Sequence, residues 1–133
     1  MKKIILVLAL FSISFYSKAE YELLFCTNAD SLGNCKSKGE TFAWKGDKTE
    51  LTLIIMNKEK LGVTKLNLML FSMSNDREGK LYAELEINKI KPDALFAVKK
   101  MYFYKPGYYR VEVLDENHKS LSNGYVTILD RSE

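Results

Sequence analysis

Residues 104–115 read "YKPGYYRVEVLD", a proline-glycine corner followed by apolar and polar residues in strict alternation. Pro106 fixes its own φ, and Gly107 can take the positive φ that a type II turn requires at its third position. Beyond that bend Tyr109, Val111 and Val113 fall on one face of an extended segment, and Tyr108, Arg110, Glu112 and Leu114 on the other. A half-buried strand entered through a sharp bend is the signature of a β-rich fold.

Outward from this stretch the same period recurs. "EYELLFC" (20–26), "ETFAW" (40–44), "TELTLIIMN" (49–57), "VTKLNLMLFSM" (63–73), "LYAELEI" (81–87) and "SLSNGYVTIL" (120–129) are short alternating runs separated by turn formers. Their spacing suggests a sandwich or barrel of antiparallel strands, and an all-β antiparallel β-sandwich of about seven or eight strands is the expectation. Leu81, Ala83, Leu85 and Ile87 are expected inward, with Tyr82, Glu84 and Glu86 outward. The segment "KPDALFAVKKMYFY" (91–104) carries both periods. A short helical turn near 93–98 with Pro92 at its start, then a strand through Phe103, is the expectation there.

"YKPGYYRVEV" with its hairpin and "NGYVTI" resembles the last strands of immunoglobulin-like and fibronectin-type-III-like sandwiches. The resemblance implies that Tyr109 hydrogen-bonds back across a sheet corner, so Pro106, Gly107 and Tyr109 form a structural corner. The chain departs from antibody domains in its cysteines, which lie close together near one end.

The first residues, "MKKIILVLALFSISFYSKAE", have the layout of a secretory signal peptide with cleavage after Ala19. The apolar run of about 13 residues is shorter than the roughly 20 a spanning helix needs. Phe25 is too bulky to precede a lipidated cysteine. Residues 20–133 then form a single domain. Three of the 20 Lys and Arg (Lys2, Lys3 and Lys18) leave with the leader, so 17 remain against 17 Asp and Glu. A neutral domain has no global basic field for nucleic acid, and no later stretch is apolar enough to hold it in a membrane. Export favours a disulfide between Cys26 and Cys35 around the turn-rich loop "TNADSLGN".

No catalytic set stands out. His118 is the single histidine and sits in a polar turn, and the paired cysteines leave no free thiol. Asn28, Asp30 and Gly33 begin a calcium-loop pattern that fails at Leu32 and Gly39. Copper would need more than one histidine, so Met56, Met69, Met73 and Met101 read as core fillers. Neither metal nor other cofactor is expected.

Lys99, Lys100, Tyr102, Tyr104, Lys105 and Tyr108 are the candidate binding surface, because exposed tyrosines bury large area with few rotors to freeze. The same pattern also suits an edge strand guarded by lysines. The expected function is a non-catalytic module of the bacterial envelope, periplasmic or secreted, whose partner is another protein. The rivals are an inhibitor of a secreted peptidase or lysozyme that inserts the loop "CTNADSLGNC", and a carbohydrate or cell-wall binder using Trp44 or the tyrosines.

Overall fold

The computed structural model describes residues 21–30, 32–73 and 79–130. The expected leader and most of the polar loop after Met73 lie outside them. Ten strands make up the described fold: β1 (Tyr21–Cys26), β2 (Asn28–Ala29), β3 (Cys35–Lys36), β4 (Thr41–Ala43), β5 (Thr49–Asn57), β6 (Leu66–Ser72), β7 (Lys80–Ile87), β8 (Phe96–Phe103), β9 (Gly107–Leu114) and β10 (Ser120–Leu129). A three-stranded sheet, β1-β5-β8, faces a five-stranded sheet, β4-β10-β9-β6-β7. The all-β sandwich expected from the alternating runs is therefore the fold, with eight strands in the two layers.

The core lies between the layers and follows the period of two. Leu51, Leu53 and Ile55 from β5 meet Leu66, Leu68 and Leu70 from β6, Tyr109, Val111 and Val113 from β9, and Val126 and Ile128 from β10. Burying a side chain of this size stabilises by about 1.5–3 kcal/mol. The alternation holds because each strand must turn one face to the opposing sheet and the other to water.

The fold corrects four expectations. No helical turn forms at 93–98. A single tight turn closes at Ala94, whose N–H donates to the Lys91 carbonyl at 2.9 Å, and strand pairing with β5 starts at Phe96. Pairing along the whole of β5 outweighs a weak, poorly capped helix signal. Gly107 does not close a type II turn, which needs φ of about +80° at that position. Its φ is +154°, and it already pairs with Ile128 as the first residue of β9. One pairing is parallel: β4 runs alongside β10 over Thr127–Leu129, because the chain crosses from the edge of one sheet to the other without reversing. Finally, β7 does not alternate as written. Leu70 pairs with Ala83 but Phe71 pairs with Leu81, so Tyr82 is an extra residue in a bulge. The bulge turns Tyr82 onto the core and leaves Leu81 49% exposed.

Cys26 and Cys35 are disulfide-bonded, with Cα atoms 5.6 Å apart. The bond closes the β2–β3 hairpin into a flap over the outer face of the three-stranded sheet. Cys26, Thr52 and Ile54 belong to that outer face by alternation, yet all are buried. The ring of Phe96, from β8, packs directly on Gly33 of the flap. The flap thus makes a small second core on the side of the sheet that would otherwise face water.

Candidate binding surface

The corner between β8 and β9 is held by two tyrosines. Tyr109 lies inside and its hydroxyl donates to the Lys105 carbonyl at 2.6 Å. Tyr82, brought inward by the β7 bulge, accepts from the Tyr104 backbone N–H at 2.7 Å. Their rings pack at 5.1 Å in an edge-on arrangement, and Phe103 lies 4.7 Å from Tyr109. Burial, then the neighbouring Tyr82, pushes the Tyr109 hydroxyl up to about 12. These bonds fix where the residues around Pro106 sit.

They do not bring the six candidate surface residues together. Tyr102 and Lys100 point outward from β8, where the ammonium of Lys48 stands 5.1 Å from the centre of the Tyr102 ring. A hydrogen bond to Glu50 raises the Tyr102 pKa above the usual tyrosine value. Lys99 falls between Ala97 and Met101, on the inward side of β8. An inward-pointing lysine on the edge of a sheet is a known guard against edge-to-edge aggregation. Tyr104 and Lys105 occupy the exposed bend. Tyr108 lies on the other layer, on the outer face of the five-stranded sheet.

There Tyr108 has company. Its ring stacks against Tyr125 of β10, with centroids 5.6 Å apart and planes 13° from parallel. The two rings are 44% and 45% exposed. Register places Arg110 beside Tyr125 and beside Phe71, and Phe71 beside Leu81, in one row across four strands. The Arg110 guanidinium covers the Phe71 ring at 4.2 Å, donates to Asn123 Oδ1 at 3.2 Å and approaches Glu112 at 3.6 Å. Leu129 adds a further exposed apolar side chain. Tyr125, Phe71, Arg110 and Leu81 escaped the sequence reading. The alternation in "NGYVTI" put Tyr125 opposite Val126, but only the register shows that Tyr125 meets Tyr108.

Beside the tyrosine pair runs a cleft of about 820 Å³ between β1 and β10, lined by Leu23, Phe25, Glu40, Tyr108, Asn123 and Tyr125 among others. Trp44 is half-buried against the core, which leaves it poorly presented for stacking on a sugar. His118 is exposed in the turn after β9. Among the described residues no group of three or more His, Cys, Asp and Glu could hold a metal ion, and no helix is long and apolar enough to cross a membrane.

No protein-family model matches the chain, and no curated protein sequence matches it significantly. Solved structures do. An immunoglobulin-like protein from Pseudomonas aeruginosa superposes with a TM-score of 0.51 at 16% identity, over 84% of this chain and 98% of that one. A CARDB domain from Pyrococcus furiosus, solved in complex with di-metal ions, gives 0.42 at 14% identity over 81% and 89%. A β-glucosidase from Listeria innocua gives 0.40 at 13% identity over 84% of this chain and 16% of that one. The likeness to the Pseudomonas aeruginosa protein is one of fold: this chain has an immunoglobulin-like β-sandwich fold.

Proposed function

We propose that this chain is a non-catalytic binding module, carried by its leader to the bacterial periplasm or cell exterior, that contacts another protein in an envelope-associated assembly. One observation carries the reading: on the outer face of the five-stranded sheet Tyr108 and Tyr125 are stacked and half-exposed, at the end of a row that runs through Arg110 and Phe71 to the exposed Leu81. Rigid, half-exposed tyrosines flanked by an arginine are the residue types that dominate contact energy at protein interfaces. The Cys26–Cys35 bond supports an oxidising destination. A photo-crosslinking amino acid placed at Tyr125 in intact cells of the source bacterium should give one dominant protein adduct. The same substitution at Tyr102 is the control. An adduct from Tyr102 with none from Tyr125 would move the contact to the β8 edge, and no adduct from either would overturn the reading.

The inhibitor reading is favoured by a different feature. Asp30 Oδ1 accepts from the N–H groups of Leu32 and Asn34, at 2.9 Å each, so the stapled loop presents Leu32, 76% exposed, on a fixed frame. Such a knob suits insertion into an enzyme cleft. Titration against lysozyme and secreted peptidases decides: inhibition lost in Leu32→Ser would support this reading, and no inhibition by the unsubstituted protein would remove it.

A further inference from the structure

The cleft beside Tyr125 has a feature that the aromatic face does not explain. On one side β10 pairs with β9 from Ser120 to Ile128, with a register shift between Ser120 and Ser122, but on the other side β4 covers only Thr127–Leu129. The Thr127 N–H donates to the Glu40 carbonyl, and the Leu129 carbonyl accepts from the Trp44 N–H. Backbone groups two residues apart point the same way along a strand. Those of Tyr125 and Asn123 therefore face the same side as Thr127, into the cleft, where no neighbouring strand stands among the described residues. The gap is closed at both ends. Ser122 Oγ donates to the Tyr21 carbonyl at 3.1 Å, and the Gly39 N–H donates to the Phe25 carbonyl at 3.1 Å.

This edge also lacks the protection that the others carry. β8 has Lys99 and Lys100, β7 has Lys80, Glu84, Glu86 and a bulge, and β1 has Glu22. Leu121 to Val126 of β10 holds no charge and no proline. Free edges of this kind template the addition of a strand, and proteins guard them where no partner is meant to bind. The structure itself seats one strand on this edge, since β4 occupies its far end.

We infer that the β10 edge from Ser122 to Val126 is a docking slot for one extended peptide segment of a partner protein, uncharged where it lines the cleft, that adds to the sheet in continuation of β4. Five residues at about 3.3 Å each fit between the two closed ends. The walls state the chemistry. Leu23 and Phe25 of β1 overhang one side, and Gly124 lets them approach, for a Cβ there would lie 3.0 Å from both side chains. Tyr108 and Tyr125 form the other wall. Apolar or small side chains would face β1, while the backbone bonds to Asn123 and Tyr125 give affinity that does not depend on sequence. With Leu23 and Phe25 above it, the cleft of about 820 Å³ suits a single extended segment.

This rests on the binding-module reading, and Asn123→Pro separates the two. Proline there removes a donor aimed at the slot and keeps the β9 ladder and both tyrosines, at the cost of the Arg110 bond to the Asn123 side chain. A display library of random linear 12-residue peptides is panned on the exported protein. Enriched peptides should slow amide exchange at Asn123 and Tyr125 in the unsubstituted protein. They should bind Asn123→Pro at least tenfold more weakly, and bind Tyr102→Ser and Asn123→Ala unchanged, the latter losing the same Arg110 bond but keeping the backbone N–H. Protection elsewhere on the backbone, indifference to Asn123→Pro, an equal loss in Asn123→Ala, no enrichment, or self-association through β10 would each overturn the slot. A partner crosslinked through Tyr125 whose affinity ignores Asn123→Pro would leave the binding module standing without it.

Discussion

The Tyr109 hydroxyl reaches from a ring buried inside the sandwich to the Lys105 carbonyl in the bend. Tyr109→Phe keeps the ring and its packing on Phe103 and Tyr82 but leaves that carbonyl without its partner. The expected cost is about 1–2 kcal/mol in urea unfolding, with an unchanged slope against denaturant. The same residue sets a pH dependence. An unfolded tyrosine loses its proton near pH 10, whereas burial and Tyr82 hold Tyr109 protonated to about 12. Above pH 10 the unfolded chain releases this proton first. The contribution is therefore whole below pH 10 and is lost as pH rises through 12. Unfolding followed between pH 9 and 12 should show a steeper decline than in Tyr109→Phe, and parallel curves for the two proteins would refute it.

At the level of the elements, the disulfide and the flap act together. Replacing both cysteines by serine should cost about 3 kcal/mol on the loop-entropy argument. It should also lift the β2–β3 hairpin from Thr52 and Ile54, which hydrogen exchange would read as faster amides over Asn28–Lys36 and along β5. A loss of stability with those amides still protected would mean that the flap holds without its staple. Strand positions were legible in the sequence wherever one face meets the core, as β5 and β10 show. Three features were not. The β7 bulge sits in an unbroken apolar-polar run, and nothing local says that Tyr82 is better spent bonding Tyr104 than facing water. The parallel seat of β4 depends on where the chain crosses between sheets. The helical reading of 93–98 weighed local spacing alone, and pairing with β5 overrode it. The candidate surface failed to assemble for a related reason: Tyr102 and Tyr108 are close in sequence, but the corner between them sends one to each layer.

For the molecule as a whole, the two outer faces are unequal. The three-stranded sheet is covered by the stapled flap, and its β8 edge carries lysines. The five-stranded sheet leaves Leu81 at one end of the cross-strand row, and Tyr125 with Tyr108 at the other, exposed to solvent, with Arg110 over Phe71 between them, next to an unguarded strand edge. The charge balance of residues 20–133, 17 Lys and Arg against 17 Asp and Glu, also matters here. With no net field to steer a partner, binding through this face should rest on apolar contact and backbone bonds, which salt screens little. Tyr108→Ser with Tyr125→Ser should therefore weaken capture of the crosslinked partner at least tenfold. Stability should move by under about 0.5 kcal/mol, as for surface positions outside the core. Raising salt from low concentration to about 0.5 M, where the screening length falls below 5 Å, should change the affinity of the unsubstituted protein less than threefold. A steep salt dependence with the tyrosines dispensable would assign the contact to the lysines of β8 instead.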